Sequence, residues 1–480
     1  MKKYIYGSAL LFIIASIYSV GYFHPDEHFQ ILEFALYKLN GTNPNNLAWE
    51  FAATIRPGLQ PFIAYSVLKV GGALGITNPF VIAFILRLLS AILSFGTILY
   101  LYKALLRNDK LQVLQHPKFN NAYILLAFLS WYVVFLGVRF SSETWGMALF
   151  GLGIATWLRH KPYWLVGLLM GLSFVCRFQM VFMIAGFGIY LLCILKQWKV
   201  IVPLVLGFCM ALAIGTLADY WLYGKWVFTA YNYFFENIIA GKAANFGTYP
   251  WYFYIVRNIG FGLPPFSIFI IVSVFAFFYF YPKHWLTWVL VPFLLVHFIV
   301  GHKEVRFIFP ILLYLPYILV AVVNTLRTTH KYHNIYSVLY KIKNWAVPTY
   351  ITLQIIMLLF TSFTAINYTV PTQQYIYNNC TTNDKVYCLT KSPYVEGGNV
   401  AAFYQKQNVL IQTIANLNEY DANMQTNANL YVIAPSSNQL LSNKQYTLCY
   451  NSLPQWVVAN FNYNNWIQRS NTWCVYKLVK

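Results

Sequence analysis

The chain has 480 residues, of which 59% are hydrophobic, 19% aromatic and only 10% charged, and its mean hydropathy is +0.52. This composition excludes an ordinary water-soluble domain and indicates a protein with many membrane spans. A formal charge of +20 could suggest nucleic acid as a partner, but the basic residues lie in short loops between apolar segments. We therefore assign the positive excess to membrane topology and phosphate binding, and expect no nucleic-acid partner.

The first apolar segment runs to about Tyr22 and is preceded by Lys2 and Lys3. A charged start and an apolar centre are also features of a signal peptide, but no small-residue cleavage site precedes His24, so we predict a retained helix. By the positive-inside rule, the two lysines place the N-terminus in the cytoplasm and His24 on the outer face.

Ten further apolar segments are predicted to cross the membrane. They lie at residues 80–102, 121–138, 143–158, 162–176, 178–195, 200–220, 262–281, 284–300, 306–326 and 346–366. The segment 61–76 is shorter and is interrupted by Lys69 and two glycines, so we predict a helix lying on the membrane surface. With eleven spans, nearly every span end rich in lysine or arginine falls on the cytoplasmic side, whereas a twelfth span at 61–76 would place those ends outside.

The composition changes after about residue 368. Residues 369–480 are rich in Asn, Gln and Tyr and contain short β-like runs bounded by turn formers. We predict that they form a small mixed α/β domain outside the cytoplasm, after an all-α membrane domain (1–368) with extracytoplasmic loops at 23–79 and 221–261. Four cysteines in this tail fit an oxidising compartment, either as two disulfides or as unpaired thiols. They are Cys380, Cys388, Cys449 and Cys474.

The predicted topology places many ionisable side chains on the outer face, several of them at or within span ends. Such groups are costly in a membrane and usually face a cavity or a partner, so the sequence predicts a polar cleft of mixed charge at the outer surface. Aromatic residues of the 221–261 loop are typical of a membrane-interface belt, and sugar stacking is the less common role. The candidate substrate-binding residues are His24, Gln30, Glu50, Arg56, Arg139, Glu143, Arg177, Asp219, Tyr249, Trp251, His302, Lys303, Glu304 and Arg306.

The acidic stretch HPDEHFQ at residues 24–30 has two interpretations. It can be an ordinary helix start, because a proline suits the first turn and acids there complement the helix dipole. Next to a basic cleft, we favour a functional role. In a regular α-helix, Asp26 shares a face with Gln30 and Glu33, whereas Glu27 aligns with apolar residues, so Asp26 is predicted to face the substrate.

Other charged residues also have a structural alternative. Arg139 and Glu143 are four residues apart and could form a structural ion pair or contact a substrate, and the sequence does not decide. Arg177 lies between two apolar stretches, where a cation is a functional candidate. Lys303 and Arg306 could be membrane anchors, but on the outer face a phosphate clamp is the better explanation.

Several sequence blocks occur in a characteristic order. They are HPDEHFQILE followed by LAWEFAATIRPGLQP at 47–61, LRLL at 86–89, RFSSE at 139–143, CRFQ at 176–179, DYWLYGKWVFTAYNYFFEN at 219–237, FGTYPWYFY at 246–254, GLP at 262–264 and HKEVRFIFP at 302–310. Together they cover most of residues 20–312 and resemble the lipid-linked mannosyltransferases of the GT-C superfamily, in the group of the GPI-anchor and N-glycan-precursor enzymes. The resemblance implies a helical GT-C bundle with a lumenal or extracytoplasmic catalytic cleft.

The implied reaction is transfer of mannose from a polyprenyl-phosphate mannose to a hydroxyl of a lipid-linked glycan, with inversion at the anomeric carbon. The first-loop acid of the family corresponds to Asp26, with Glu27 adjacent, and Glu50 and Arg56 match a further element. Residues 302–306 match the late loop motif.

An inverting transfer needs a carboxylate that takes the acceptor proton and cations that stabilise the departing phosphate. We assign Asp26 as the catalytic base with Glu27 in reserve, and Lys303 and Arg306 to the phosphate, with Arg177 as a weaker candidate. No nucleotide leaves, so we expect no cofactor and no metal ion; a divalent ion at His24 is the minor alternative.

Short loops and a compact chain are more in keeping with a bacterial relative in the inner membrane than with an enzyme of the endoplasmic reticulum. Alternative donors carry arabinose, aminoarabinose or glucose, and a protein is an alternative acceptor. A carrier or flippase ranks lower, because carriers usually show internal repeats and mid-membrane polar groups, whereas this chain has polar residues at one surface.

Overall fold

The computed structural model describes residues 2–416, 429–436 and 445–478. Residues 417–428, 437–444 and 479–480 of the predicted C-terminal domain lie outside this part. The α-helices are α1 (Lys2–Tyr18), α2 (Pro25–Glu27), α3 (Glu33–Tyr37), α4 (Trp49–Ala52), α5 (Leu59–Ala73), α6 (Pro79–Asn108), α7 (Pro117–Leu129), α8 (Trp131–Gly137), α9 (Ser142–Leu158), α10 (Tyr163–Cys176), α11 (Val181–Ile189), α12 (Ile201–Tyr223), α13 (Thr229–Phe234), α14 (Phe253–Phe261), α15 (Phe266–Phe280), α16 (Trp285–Ile299), α17 (Leu315–Thr328), α18 (His333–Phe363), α19 (Thr369–Asn379), α20 (Gln455–Asn460) and α21 (Trp466–Arg469).

All eleven predicted apolar segments are helical over most of their length. Among the described residues, three helical stretches are long and apolar enough to cross a membrane: α6, Trp198–Tyr223 and His330–Phe363. If each of two bent helix pairs is one span, the number is five; these pairs are α7 with α8, bent by 43°, and the 3-10 segment Val305–Leu313 with α17, bent by 61°. Four other predicted spans between residues 162 and 300 correspond to apolar helical segments that are shorter than this length: Tyr163–Cys176, Phe178–Ile194, Phe266–Phe280 and Trp285–Ile299. The surface segment predicted at 61–76 is helical as α5.

The chain forms two compact units. Unit 1 comprises Met1–Ser16, Ala52–Ile63 and Leu86–Phe363. It is built from helices: α10 packs against α9 and α12, α11 against α16, and α15 against α17. Its core is a continuous cluster of aliphatic and aromatic side chains from these helices, because apolar residues occur on nearly every face of the sequence segments that form them.

Unit 2 comprises Ile17–Phe51, Ala64–Ile85 and Thr364–Lys480. Its main sheet has the strand order β4-β1-β5-β7-β6, in which β1 is parallel to β4 and β5, and β7 is antiparallel to β5 and β6. The described strands are β1 (Lys385–Leu389), β2 (Val395–Glu396), β3 (Asn399–Val400), β4 (Leu410–Ile414), β5 (Leu430–Pro435), β6 (Tyr446–Asn451) and β7 (Trp473–Leu478). Successive residues of β1, β5 and β7 enter two different apolar clusters, as the alternation of a pleated strand requires.

The tail cysteines adopt the second of the two predicted alternatives. All seven cysteines of the chain fall within the described residues, and all are free thiols. Cys380, Cys388 and Cys474 are buried, and burial raises the pKa of Cys380 and of Cys388 to about 12. These thiols are therefore protonated at neutral pH and behave as small apolar side chains.

Candidate functional site

Unit 1 contains a charge cluster that consists of Glu143, Arg177, His302, Glu304 and Arg306. Glu143, Arg177 and Arg306 are buried, and His302 and Glu304 are half-buried. Glu143 Oε1 lies 2.9 Å from Arg177 Nη1 and 3.0 Å from Arg306 Nη1, so one carboxylate holds two guanidinium groups. Arg306 also donates from Nε to Glu304 Oε2 at 2.7 Å and from Nη2 to Glu304 Oε1 at 3.2 Å. This two-point contact fixes the plane of the Arg306 guanidinium.

Local structure explains why these side chains converge. Glu143 is in the first turn of α9, where Ser141 caps the helix by accepting the Thr144 N–H at 3.2 Å. Arg177 is the extended residue that ends α10, with φ −148° and ψ 106°, and therefore its side chain is not confined to one face of that helix. Arg306 is in the 3-10 segment that follows α16. Each residue thus sits at a break in an apolar helix.

Arg139 is almost fully buried, at 1% exposure, and its guanidinium lies 5.6 Å from the ring centre of Phe135. It precedes Ser141, the N-cap of α9, so Arg139 and Glu143 are not on successive turns of one helix. The geometry of an ion pair between residues four apart in one helix therefore does not apply to Arg139 and Glu143.

His302 connects the aromatic loop to the charge cluster. Its Nδ1 lies 2.9 Å from the Gly247 carbonyl oxygen and its Nε2 lies 3.2 Å from Glu304 Oε1. The hydrogen bond to Glu304 raises the pKa of His302, with burial opposing and the Gly247 carbonyl reinforcing this shift. The Tyr249 N–H also donates to the Gly301 carbonyl at 2.9 Å. The side chains of Tyr249 and Trp251 remain exposed on the surface of unit 1.

The cluster can accommodate an anion. Arg177, Arg306 and the nearby Lys303 carry three positive charges, against the two negative charges of Glu143 and Glu304, before any charge on His302 is counted. Lys303 is buried, its ammonium group donates to the Val300 carbonyl, and burial lowers its pKa. Arg177 Nη2 is buried and, among the described residues, has no hydrogen-bond partner. A buried cationic excess with a free N–H donor favours binding of a phosphate or carboxylate.

Tyr254 is a candidate that the sequence did not single out. Its side chain is 2% exposed, and its hydroxyl lies close to the Glu304 backbone and to the Arg177 charge. Burial raises the pKa of the Tyr254 phenol, and the charge of nearby Arg177 opposes this shift. The phenol is therefore a neutral hydrogen-bond donor at physiological pH. The sequence could have indicated Tyr254 only through its position at the end of the block FGTYPWYFY.

Asp219 has a structural use in unit 1. Its Oδ1 accepts the Gly58 N–H at 2.6 Å and its Oδ2 accepts the Thr229 hydroxyl at 2.6 Å. Tyr223, one turn later on α12, donates its hydroxyl to the Arg56 carbonyl at 2.8 Å. A Cβ atom at position 58 would collide with the α12 backbone, so only glycine permits this approach. Asp219 therefore anchors the chain that carries Arg56.

The Arg56 side chain faces an aromatic ring of the same unit, with its guanidinium carbon 5.9 Å from the ring centre of Tyr233. The Tyr233 hydroxyl accepts a hydrogen bond from Gln179 Nε2 at 2.6 Å. Arg56 thus belongs to a network that includes the residues just after Arg177.

In unit 2, the acidic turn His24–Glu27 is a helix start with a capping box. His24 Nδ1 accepts the Asp26 N–H at 3.3 Å, and Glu27 Oε1 accepts the His24 N–H at 3.3 Å. The Glu27 carboxylate therefore has a structural role. The Asp26 side chain is 21% exposed and its Oδ1 lies 3.4 Å from His24 Nδ1. The cap uses the Glu27 carboxylate, and Asp26 stays the residue predicted to act as base.

The regular helix predicted after this turn is wrong, because residues His28–Leu32 form a π-helical turn between α2 and α3. Gln30 is buried and donates from Nε2 to Glu50 Oε1 at 2.8 Å. Glu33 is 1% exposed, whereas Asp26 remains partly accessible. The predicted shared face of Asp26, Gln30 and Glu33 does not exist, since the wider turn changes the side-chain register.

The structure thus brings several predicted residues together within each unit. In unit 1 they form the charge cluster and the Arg56–Asp219 network, and in unit 2 the acidic turn and the Gln30–Glu50 pair. Over residues 2–416, 429–436 and 445–478, no group of three or more His, Cys, Asp or Glu side chains is arranged to hold a metal ion.

Residues 4–391 match the Alg9-like mannosyltransferase family, and the chain belongs to this family. Mannosyltransferase APTG1 of Arabidopsis thaliana is 25% identical over 304 residues, 61% of this chain and 53% of that protein. GPI mannosyltransferase 3 of Debaryomyces hansenii is 24% identical over 379 residues, 75% of this chain and 64% of that protein. The chain therefore spans between about half and two thirds of the length of these relatives.

Among solved structures, ArnT from Cupriavidus metallidurans bound to undecaprenyl phosphate superposes with a TM-score of 0.51. The match covers 99% of this chain and 97% of ArnT at 10% sequence identity, so it shows a common fold. The resemblance to GT-C mannosyltransferases inferred from the sequence blocks is confirmed by these matches.

Proposed function

We propose that this protein transfers mannose from a polyprenyl-phosphate mannose to a hydroxyl of a lipid-linked glycan, with inversion at the anomeric carbon. The observation that carries this proposal is the buried cationic excess around Arg177 and Arg306, which suits the phosphate of such a donor. Membership of a mannosyltransferase family supports the sugar. The undecaprenyl phosphate bound by ArnT supports the class of lipid.

Arg306, Lys303 and Arg177 are assigned to the donor phosphate. The carboxylates of Glu143 and Glu304 hold the arginine side chains in place before the donor arrives, so that little reorganisation is needed as charge develops on the leaving phosphate. Arginine presents paired N–H donors to phosphate oxygens, and lysine adds a compact charge. Tyr254 is placed to donate a further hydrogen bond to the same anion.

Asp26 is assigned as the base. It takes the proton of the acceptor hydroxyl as that oxygen attacks the anomeric carbon, while the bond from this carbon to the phosphate oxygen breaks and polyprenyl phosphate leaves. Glu27 is the reserve because its carboxylate already caps the helix. The leaving group is a single phosphate that protein cations can stabilise, so the mechanism uses no cofactor or metal ion.

In the proposed topology, the protein crosses the membrane eleven times and its N-terminus lies in the cytoplasm. The charge cluster, the acidic turn and the C-terminal domain lie on the outer face. Its bilayer is the bacterial inner membrane, or the endoplasmic reticulum if the source is eukaryotic. The helical identity of all eleven segments supports the span number.

The test is a transfer reaction with the purified protein in lipid. Polyprenyl phosphates carrying mannose, glucose, arabinose or aminoarabinose are each supplied with a lipid extract and with membrane proteins, and products are identified by mass. We expect a mannosylated glycolipid. A product with another sugar, or a glycosylated protein, would replace the proposed substrates, and movement of donor across the bilayer without a covalent product would indicate a flippase.

Donor binding tests the phosphate assignment separately. Arg306→Ala should weaken donor affinity at least about tenfold, since one charge-assisted contact to phosphate contributes about 1.5–3 kcal/mol. Arg327→Ala, at the exposed end of α17, is the matched control and should bind donor normally. Equal affinities for both variants would contradict the phosphate role of Arg306.

A further inference from the structure

His28 and Glu33 form a buried side-chain contact in unit 2 that the proposed chemistry does not use. His28 Nε2 lies 2.8 Å from Glu33 Oε1, and each side chain is 1% exposed. In an α-helix, residues five apart point about 140° away from each other. Here the Glu33 N–H bonds to the His28 carbonyl across the π-helical turn, and this wider turn brings both side chains to one face. The π turn therefore creates the pair.

A segment of the C-terminal half closes over this pair. We call residues 394–404 the latch; it contains the hairpin of β2 and β3. Within it, the Phe403 N–H donates to Glu33 Oε1 at 2.9 Å. The Tyr404 ring stacks on the His28 ring, with centres 5.4 Å apart and planes inclined by 12°. Glu33 and His28 thus each have a partner in the latch.

The hairpin of the latch reaches the residues just before the acidic turn. Its two-residue loop is Gly397-Gly398, with φ of 57° and 83°, values that glycine adopts without strain. At the end of β2, Glu396 Oε2 accepts a 2.5 Å hydrogen bond from the Tyr22 hydroxyl. The Tyr22 ring in turn stacks on His28, with centres 5.3 Å apart and an inclination of 25°.

The latch is itself supported by packing. Tyr404 is 3% exposed and also stacks on Phe80, with ring centres 4.8 Å apart and an inclination of 21°. The side chains of the latch that contact the first loop lie beyond residue 391, where the match to the family ends.

Helix α2, which carries Asp26, has only three residues. So short a helix has no stability of its own, and its direction depends on the segment after it. That segment is the π turn, which the His28–Glu33 pair and the latch hold in place. A base acts only within hydrogen-bond distance of the proton it removes, and a displacement of about 1 Å costs on the order of 10²-fold in rate.

We propose that the latch is a positioning element for the acidic turn, with Tyr404, Phe403 and Glu33 acting through His28 to orient Asp26. The proposal rests on the proposed function, because it takes Asp26 as the base. The C-terminal domain then contributes to turnover through contacts that touch no substrate.

The test compares three variants of the full-length protein in lipid. Tyr404→Ala removes the stack on His28, Tyr404→Phe retains it, and Tyr375→Ala removes a similar stack on Tyr450 elsewhere in the same domain, where the ring centres are 5.0 Å apart. We expect Tyr404→Ala to lower kcat at least about tenfold with an unchanged KM for the donor. Tyr404→Phe and Tyr375→Ala should keep kcat within about twofold of the unsubstituted protein.

Hydrogen exchange of peptides covering residues 24–37 is the second readout, and it needs no activity. Tyr404→Ala should exchange faster there, and Tyr375→Ala should not. Normal exchange in Tyr404→Ala, or faster exchange with normal kcat, overturns the proposal. An equal loss of kcat in Tyr375→Ala would also overturn it, since the effect would then be general destabilisation. If the unsubstituted protein transfers no sugar, the proposed function fails, while exchange still decides whether the latch holds the turn.

Discussion

The assignment of Asp26 as base makes a quantitative prediction for Asp26→Asn. A positioned general base contributes about 10²–10⁴-fold to rate, which corresponds to about 2.7–5.4 kcal/mol at 1.36 kcal/mol per tenfold change. The structural contribution of the same carboxylate is smaller. Asp26 lies in the first turn of α2 and is partly exposed, so loss of its charge near the helix N-terminus costs about 0.3–1 kcal/mol.

Asp26→Asn should therefore lower kcat at least about 100-fold while the free energy of unfolding changes by less than about 1 kcal/mol. The matched control is Glu27→Gln. The Glu27 carboxylate accepts the His24 N–H, and an amide oxygen at the same place can accept it too, so the cap survives. Glu27→Gln should keep kcat within about threefold.

The assay is single-turnover product formation, followed by mass, with donor affinity and thermal unfolding measured on the same preparations. Turnover by Asp26→Asn close to that of the unsubstituted protein refutes the assignment. A larger loss in Glu27→Gln than in Asp26→Asn would transfer the role of base to Glu27. Parallel losses of kcat and stability in Asp26→Asn would show that the carboxylate is structural.

Four further predictions concern the charge cluster and the topology. Glu143→Gln should lower the free energy of unfolding by about 3 kcal/mol in denaturant titrations, because it removes the charge that two buried arginines share; an unchanged midpoint would contradict this. Glu304 raises the pKa of His302 in the folded protein. Protonated His302 therefore stabilises the fold below the unfolded pKa of about 6.5, and this stabilisation is lost as the pH rises through the folded pKa. His302→Gln should remove this pH dependence of the melting temperature. Tyr254→Phe should weaken donor binding about three- to tenfold, by one hydrogen bond, and unchanged affinity would exclude the contact. In a Cys449→Ser background, which removes the exposed thiol of the tail, Lys110→Cys should add no labelling by a membrane-impermeant thiol reagent applied to intact cells, and labelling above that background would contradict the proposed topology.

Some correct expectations depended only on local sequence. Long apolar runs form helices because a chain in lipid must satisfy its own backbone groups, and all eleven predicted runs are helical. Short alternating runs in the tail form strands of one sheet. The ordered blocks from HPDEHFQILE to HKEVRFIFP were sufficient for the family, since they depend on the order of residues and not on their contacts.

The local sequence was insufficient where a turn departs from the usual period. A regular α-helix was the natural expectation for residues 28–33, and it placed Glu33 beside Asp26. The π turn instead pairs Glu33 with His28, because the buried carboxylate gains both an imidazole and a backbone N–H as partners. The backbone N–H belongs to Phe403, which lies 370 positions from Glu33 in the sequence. A prediction from the residues around the motif cannot include so distant a partner.

Composition, apolar run length and charge asymmetry by themselves determined that this is a helical membrane protein with a small α/β tail, and they identified most of the charged residues of interest. Only the tertiary structure decided which partners those residues contact. It joined Glu143 to Arg306 across 163 positions, used Asp219 as a backbone anchor, and placed the latch against the π-helical turn that follows the acidic turn. The physical reason is that burial of a charge must be compensated by a partner, and the partner is selected by packing between distant segments.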